Sequence, residues 1–242
     1  MIHFHYIFGP PLLQEGNDDC ECDCDSSEGT SPTPSEDTTT MKWSYTCPIG
    51  WHSFTRTPSE FNQNTGVWCV KFIPSDTVIT INNGSSLCEK EDAVLTAFEN
   101  SEERDTVIAE VQSHIIGKLE RTVGAIALSG KRIKECSTSN IWIIGSPPCN
   151  DKTKVFSLPL SSGTNPEFLW TNWAPNEPSA NHWTYDVEDC NQMFISPNDP
   201  ERDGKINDFY CVLSHAPNDP ENEMYWNYGA LCGQAPAIES VL

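Results

Sequence analysis

Eight cysteines dispersed along the chain constrain its folding more than any other feature: Cys47, Cys69, Cys88, Cys136, Cys149, Cys190, Cys211 and Cys232. Single, widely spaced cysteines suit disulfides, whereas structural zinc sites draw their ligands from close pairs. Disulfides persist in oxidising compartments, which predicts an exported protein. Three further cysteines, Cys20, Cys22 and Cys24, bring the total to 11. An odd total leaves at least one thiol free or bonded to another chain.

The formal charge of −21 narrows the partners. A field of that sign repels nucleic acid and anionic membranes and attracts cations such as calcium. No apolar run approaches the ~18 residues that a membrane span requires. Residues 1–15 are apolar but hold two histidines, a Gly-Pro-Pro and no basic start, which reads as a weak or eroded signal peptide. The expected location is therefore secreted and extracellular.

Residues 16–42 collapse into Asp, Glu, Ser, Thr and Pro, which predicts a disordered stalk unable to offset its ordering entropy by burial. Its Ser/Thr/Pro part, Ser26 to Thr40, is either an O-glycosylated stalk or an unmodified linker. Cys20, Cys22 and Cys24 lie in this segment. They could link subunits into a disulfide oligomer, bind a soft metal, or pair with small thiols.

From Trp43 onward the pattern becomes ordered. Cys47 to Trp51 and Val67 to Phe72 read as short strands. Ser86-Leu87-Cys88-Glu89 has the capping-box pattern that opens a helix, with Leu87, Val94, Leu95 and Phe98 as its apolar positions. Asn100 and Glu103 make a similar start for a second helix, with Val107, Ile108, Val111 and Ile115 on one face. Val123 to Leu128 reads as an apolar strand. The stretch from Cys136 to Asn207 is too long for an idle loop in a compact domain. The layout is α+β: two helices, short antiparallel strands and a long loop region.

Certain residues in this pattern are specific. Cys47-Pro48-x-Gly50-Trp51-x-x-Phe54, Cys88, Glu188-Asp189-Cys190, Asn207-Asp208-x-x-Cys211 and Ala230-Leu231-Cys232 resemble, in order, the landmarks of the C-type lectin-like domain. The resemblance spans residues 43–234 and assigns a disulfide-stapled domain to 43–242. It implies the pairs Cys47–Cys69, Cys88–Cys232 and Cys190–Cys211. Cys136–Cys149 then resembles an extra bridge of many secreted invertebrate members.

In sugar-binding members of that family, a Glu-Pro-Asn triplet, a later Glu and an Asn-Asp pair hold one calcium, which sugar hydroxyls complete. The corresponding residues here are Glu177-Pro178-Ser179, Glu188, Asn207 and Asp208. The resemblance thus implies a calcium cofactor held by Glu177, Glu188, Asn207 and Asp208, with mannose-type sugar as ligand. Ser179 departs from the pattern, since a hydroxyl is a weaker oxygen donor than an amide carbonyl. The spacing from Ser179 to Glu188 is long, and Ile206 replaces a customary Trp. Asn181 and Asp186 are spare oxygen donors. Without calcium, Glu-Pro and Asn-Asp are ordinary turn chemistry.

Two readings therefore stand: a calcium-dependent lectin for carbohydrate or cell-surface glycans in microbe recognition, or a calcium-independent module of the same fold with a protein ligand. An enzyme is excluded, because no nucleophile elbow, His-Glu-x-x-His or phosphate loop is present. Trp170 and Trp173 read as core, and Trp183 as the exposed aromatic contact. His114 reads as a surface or boundary residue. Asn83-Gly84-Ser85 is an N-glycosylation sequon expected in a turn.

Overall fold

The computed structural model describes residues 42–241. The expectations placed on residues 1–41, including Cys20, Cys22 and Cys24, lie outside the described residues.

The described residues open with strand β1 (Lys42–Thr46), turn through Cys47 to Trp51, and enter β2 (His52–Thr55) and β3 (Val67–Ile79). The Cys47–Trp51 segment is therefore the turn between two strands and not a strand itself: Trp51 N donates to Pro48 O at 3.1 Å, and Gly50 sits at a φ of +82° that suits glycine.

Helix α1 spans Ile81–Glu89, which corrects the helix expected to open at Ser86. The functioning capping box lies upstream, where Thr80 Oγ1 accepts from Asn83 N at 3.0 Å. Ser86 falls inside α1, and Val94–Leu95 forms strand β4 instead of continuing the helix. The sequon is likewise helical and not in a turn, with Asn83 exposed in the first turn. Its Gly84 is where α1 presses on the sheet: a Cβ there would stand 2.7 Å from the Cβ of Ala127.

Helix α2 (Ser101–Gln112) starts as expected, with Asn100 Oδ1 accepting from Glu103 N at 2.9 Å. It ends in a π-helical turn, Ser113–Lys118. His114 is buried here, where a surface or boundary position was expected, and its Nε2 lies 3.0 Å from Ser75 O.

The remaining strands are β5 (Gly124–Arg132), β6 (Phe156–Ser157), β7 (His182–Trp183), β8 (Asp186–Val187), β9 (Cys190–Ile195), β10 (Ile206–Phe209), β11 (Asn227–Gln234) and β12 (Ala237–Val241). The main sheet runs β10-β9-β5-β11-β3-β2, with β4 on β11 and β6 on β5. Its pairs are antiparallel except β5 with β11, which is parallel. β1 and β12 form a separate ribbon, so the two ends of the described chain pair with each other. This is the expected α+β layout. Two single helical turns are added, α3 (Ile141–Ile144) and α4 (Glu167–Trp170).

All four implied disulfides are present: Cys47–Cys69, Cys88–Cys232, Cys136–Cys149 and Cys190–Cys211. Cys88–Cys232 fastens α1 to β11. The core under the sheet is built on Trp68, Val107, Val111, Ile126, Leu128 and Met193.

A buried ion pair anchors the long loops to this core. Arg56 of β2's trailing end reaches Glu103 of α2 through Nε and Nη2, at 2.8 and 2.6 Å. Its Nη1 donates to Gly163 O at 2.6 Å. Glu103 Oε2 also accepts from Glu99 N at 3.0 Å, so the carboxylate serves the chain just before the helix as well as Arg56. Gly163 has a φ of +69°, and a Cβ there would lie 2.1 Å from the Trp68 ring. Only glycine allows the loop to approach the tryptophan this closely.

Candidate functional site

The candidate residues come from two directions. Glu177, Pro178 and Ser179 lie in the long loop, while Asn207 and Asp208 lie on β10. Backbone bonds join the two: Ala174 N donates to Ile206 O at 2.8 Å, and Ile206 N to Asn172 O at 2.9 Å. The Glu177–Pro178 peptide is cis. Glu188 closes the site at the foot of the small β7–β8 hairpin, its N–H donating to Asn181 O at 3.0 Å.

Glu177, Glu188, Asn207 and Asp208 are all buried, and Ser179 is half-buried. Ser179 N and Ala180 N each donate to Asp208 at 2.9 Å, one to each carboxylate oxygen. Ser179 Oγ and Asn181 N both donate to Glu188 Oε2, at 2.8 and 2.9 Å. The structure therefore brings the five expected residues into one neighbourhood. It also shows Asn181 acting as a hydrogen-bond donor to the site, with its Nδ2 3.0 Å from Ser179 Oγ.

The residue that sequence reasoning missed is Arg132. It is buried at the end of β5, its Nη2 donates to Asp208 Oδ2, and its Nε donates to Glu188 O at 3.0 Å. Its guanidinium carbon lies 4.6 Å from the Phe156 ring centre. Lys152 was missed too, and its Nζ donates to Glu177 O. The available signal was the scarcity of cations, only 14 Lys and Arg in 242 residues.

Electrostatics follows from this packing. Burial, then the Asp208 carboxylate, pushes Glu177 up to about 7. The same two causes push Glu188 up to about 8, with Glu177 adding repulsion. Tyr210 beside them is pushed up to about 12 by burial and by Glu188 and Asp208.

Does this donor set fit calcium? The ion takes six to eight oxygens. Both Asp208 oxygens and Glu188 Oε2 already receive donors, and Ser179 Oγ spends its proton on Glu188. A guanidinium supplies positive charge at Asp208. Glu177 Oε2 and the Asn207 amide nitrogen remain without partners. Among the described residues no group of three or more His, Cys, Asp or Glu side chains is arranged to hold a metal ion. The arrangement does not fit calcium.

The aromatic residues divide as expected. Trp170 and Trp173 stack with ring centres 5.6 Å apart, and Phe156 packs on both. Trp183 is exposed on the β7–β8 hairpin beside a more fully open Tyr185.

Comparison with known proteins places these features in a family. The model of the family described as C-type lectin domain-containing protein 141/158 matches residues 53–235. C-type lectin domain-containing protein 141 of Caenorhabditis elegans is 41% identical over 204 residues, covering 79% of this chain and 66% of that protein. The chain thus spans just under two thirds of that relative's length. C-type lectin domain-containing protein 158 of the same organism is 37% identical over 191 residues, covering 78% and 89%. Among solved structures, the cow C-type carbohydrate-recognition domain of CD23 aligns at a TM-score of 0.45 and 16% identity, covering 80% of this chain and 99% of that one.

Proposed function

The chain belongs to the C-type lectin domain family, a non-enzymatic recognition fold, and from that membership we propose that its long loops bind a ligand on another molecule without calcium. The Arg132 guanidinium on Asp208 carries this reading. A resident side-chain cation neutralises the carboxylate that a calcium ion would otherwise need, and the hydrogen bonds of Ser179, Ala180 and Asn181 hold the loop in shape. The loop is then pre-organised by the chain itself, which lowers the ordering cost of binding. The contact surface is the β7–β8 hairpin, where Trp183 and Tyr185 offer flat apolar faces suited to a protein or a sugar ring. The four disulfides support a secreted, extracellular protein, and exposed Asn83 is its candidate glycan site.

The test is thermal unfolding of the disulfide-bonded protein in millimolar calcium and in EDTA. A ligand held only by the native state raises the midpoint by mass action. We expect coincident curves. A rise of several degrees in calcium that Asp208→Ala abolishes overturns the proposal.

One observation favours the second reading, a calcium-dependent lectin for mannose-type glycans. Glu177 Oε2 is buried without a partner, in a carboxyl that, like that of Glu188, is pushed up by burial and by Asp208. The same experiment decides between the two.

A further inference from the structure

The disulfide loop Cys136–Cys149 carries the most conspicuous apolar surface among the described residues. Its tip, α3, exposes Ile141 (71%), Trp142 (81%) and Ile143 (41%) in succession. Scattered exposed apolar side chains are ordinary, but three large ones together on a braced protrusion mark a contact site.

Two independent features indicate what the tip contacts. The first is that much of its backbone is already paired from within. The N–H groups of Trp142 to Ser146 donate to Asn140 Oδ1, Asn140 O, Ile141 O and Ile143 O. The carbonyls of Trp142 and Gly145 accept from Ser146 Oγ at 2.7 Å and Asn150 Nδ2 at 3.1 Å. A segment so paired strands few polar groups on leaving water, which lowers the cost that a hydrocarbon environment imposes.

The second feature is charge. Residues 131–154 hold five of the 14 Lys and Arg, against two acids, Glu135 and Asp151. Arg132 among them is buried on Asp208, so the cations that face outward are Lys131, Lys134, Lys152 and Lys154 against those two acids, 4 − 2 = +2 in a chain of −21. β5 and β6 pair Lys131 with Ser157 and Arg132 with Phe156, and Ile133 N donates to Val155 O, so the two stems of the loop run side by side. Lys131, Lys134 and Lys154 are exposed along them. Lys131 and Lys134 make no ion pair among the described residues. At physiological salt the field of a charge fades over ~8 Å, so this local excess governs what the tip meets at contact.

We propose that the Cys136–Cys149 loop is a membrane-contact device: Trp142 and its isoleucines enter the interface of a lipid bilayer, and the stem lysines meet anionic headgroups. Tryptophan favours that interface, and lysine stems extend along apolar surface while the ammonium stays with phosphate. The loop makes a reversible surface contact, and no helix among the described residues is long and apolar enough to cross a membrane. This inference is independent of the calcium question.

The experiment is co-sedimentation of the full chain, disulfides intact, with vesicles of phosphatidylcholine alone and of phosphatidylcholine mixed with phosphatidylglycerol. We expect binding to the mixed vesicles that weakens with salt. Trp142→Ser should lower it by about tenfold, as should Ile141→Ser in a second variant. Lys131→Glu with Lys134→Glu should lower binding to the anionic vesicles selectively. All these residues are exposed, so the melting midpoint should not move. No sedimentation with either vesicle, or sedimentation indifferent to Trp142→Ser and Ile141→Ser, overturns the proposal. So does a soluble dimer that Trp142→Ser abolishes, since that assigns the tip to a protein interface.

Discussion

Arg132 is the side chain on which the loop site depends. Its guanidinium joins Asp208 of β10 to the backbone of Glu188 and lies against Phe156, with almost no exposure. Truncation to alanine leaves Asp208 buried with two backbone donors and no cation. Breaking one partner from a buried pair costs about 3–5 kcal/mol. Arg132→Ala should therefore lower the melting midpoint by roughly ten degrees, at ~2–4 °C per kcal/mol for a domain of this size. A shift within a degree or two, measured by calorimetry, would show that Asp208 does not depend on this partner. Lysine should rescue only in part, because one ammonium cannot serve two diverging acceptors in fixed geometry.

At the scale of elements, the four disulfides do unequal work. Cys88–Cys232 closes 144 residues and holds α1 against β11, whereas Cys136–Cys149 closes 13 and braces only the loop that bears α3. Loop-closure entropy assigns about 5 kcal/mol to the first and about 3 to the second. Denaturant unfolding of the paired serine variants should rank them in that order. Equal losses would mean that residual structure in the unfolded chain, and not loop length, sets their value. The Arg56–Glu103 pair is the non-covalent counterpart of these staples. It ties the segment after β2, helix α2 and Gly163 of the long loop at one point.

Over the whole molecule, a charge of −21 and two buried carboxyls act in the same direction with pH. Glu177 and Glu188 are held at about 7 and about 8, above their ordinary 4.5. The folded state therefore keeps protons that the unfolded chain releases. That stability is complete below about pH 4.5 and is lost as the pH rises through about 7 and 8. Acidification also relieves the general self-repulsion of the chain. In EDTA, the melting midpoint should fall by several degrees from about pH 5 to about pH 8.5. Glu188→Gln should flatten much of that slope and leave the global contribution. An unchanged slope in the variant would remove Glu188 from the explanation.

The sequence by itself determined the family layout, the four cysteine pairs once the resemblance was drawn, the start of α2 at Asn100, the apolar strand β5 and the core role of Trp170 and Trp173. These rest on local chemistry and fixed landmarks, which survive reading one residue at a time. Helix α1 was legible only in part, because two capping patterns, at Thr80 and at Ser86, compete, and the sheet contact at Gly84 favours the upstream one. The site was half legible: Glu177, Ser179, Glu188, Asn207 and Asp208 were named, and Arg132 was not. The reason lies in β5, whose register against β9 shifts between Leu128 and Lys131, with Gly130 at a φ of +133°. β5 advances three residues there while β9 advances one, so the alternation of faces is interrupted just before Arg132. Period-two reading cannot then say whether Arg132 faces solvent or Asp208. Tertiary structure decided it, because only the packed sheet fixes where the irregularity falls and so which cation faces the buried carboxylates.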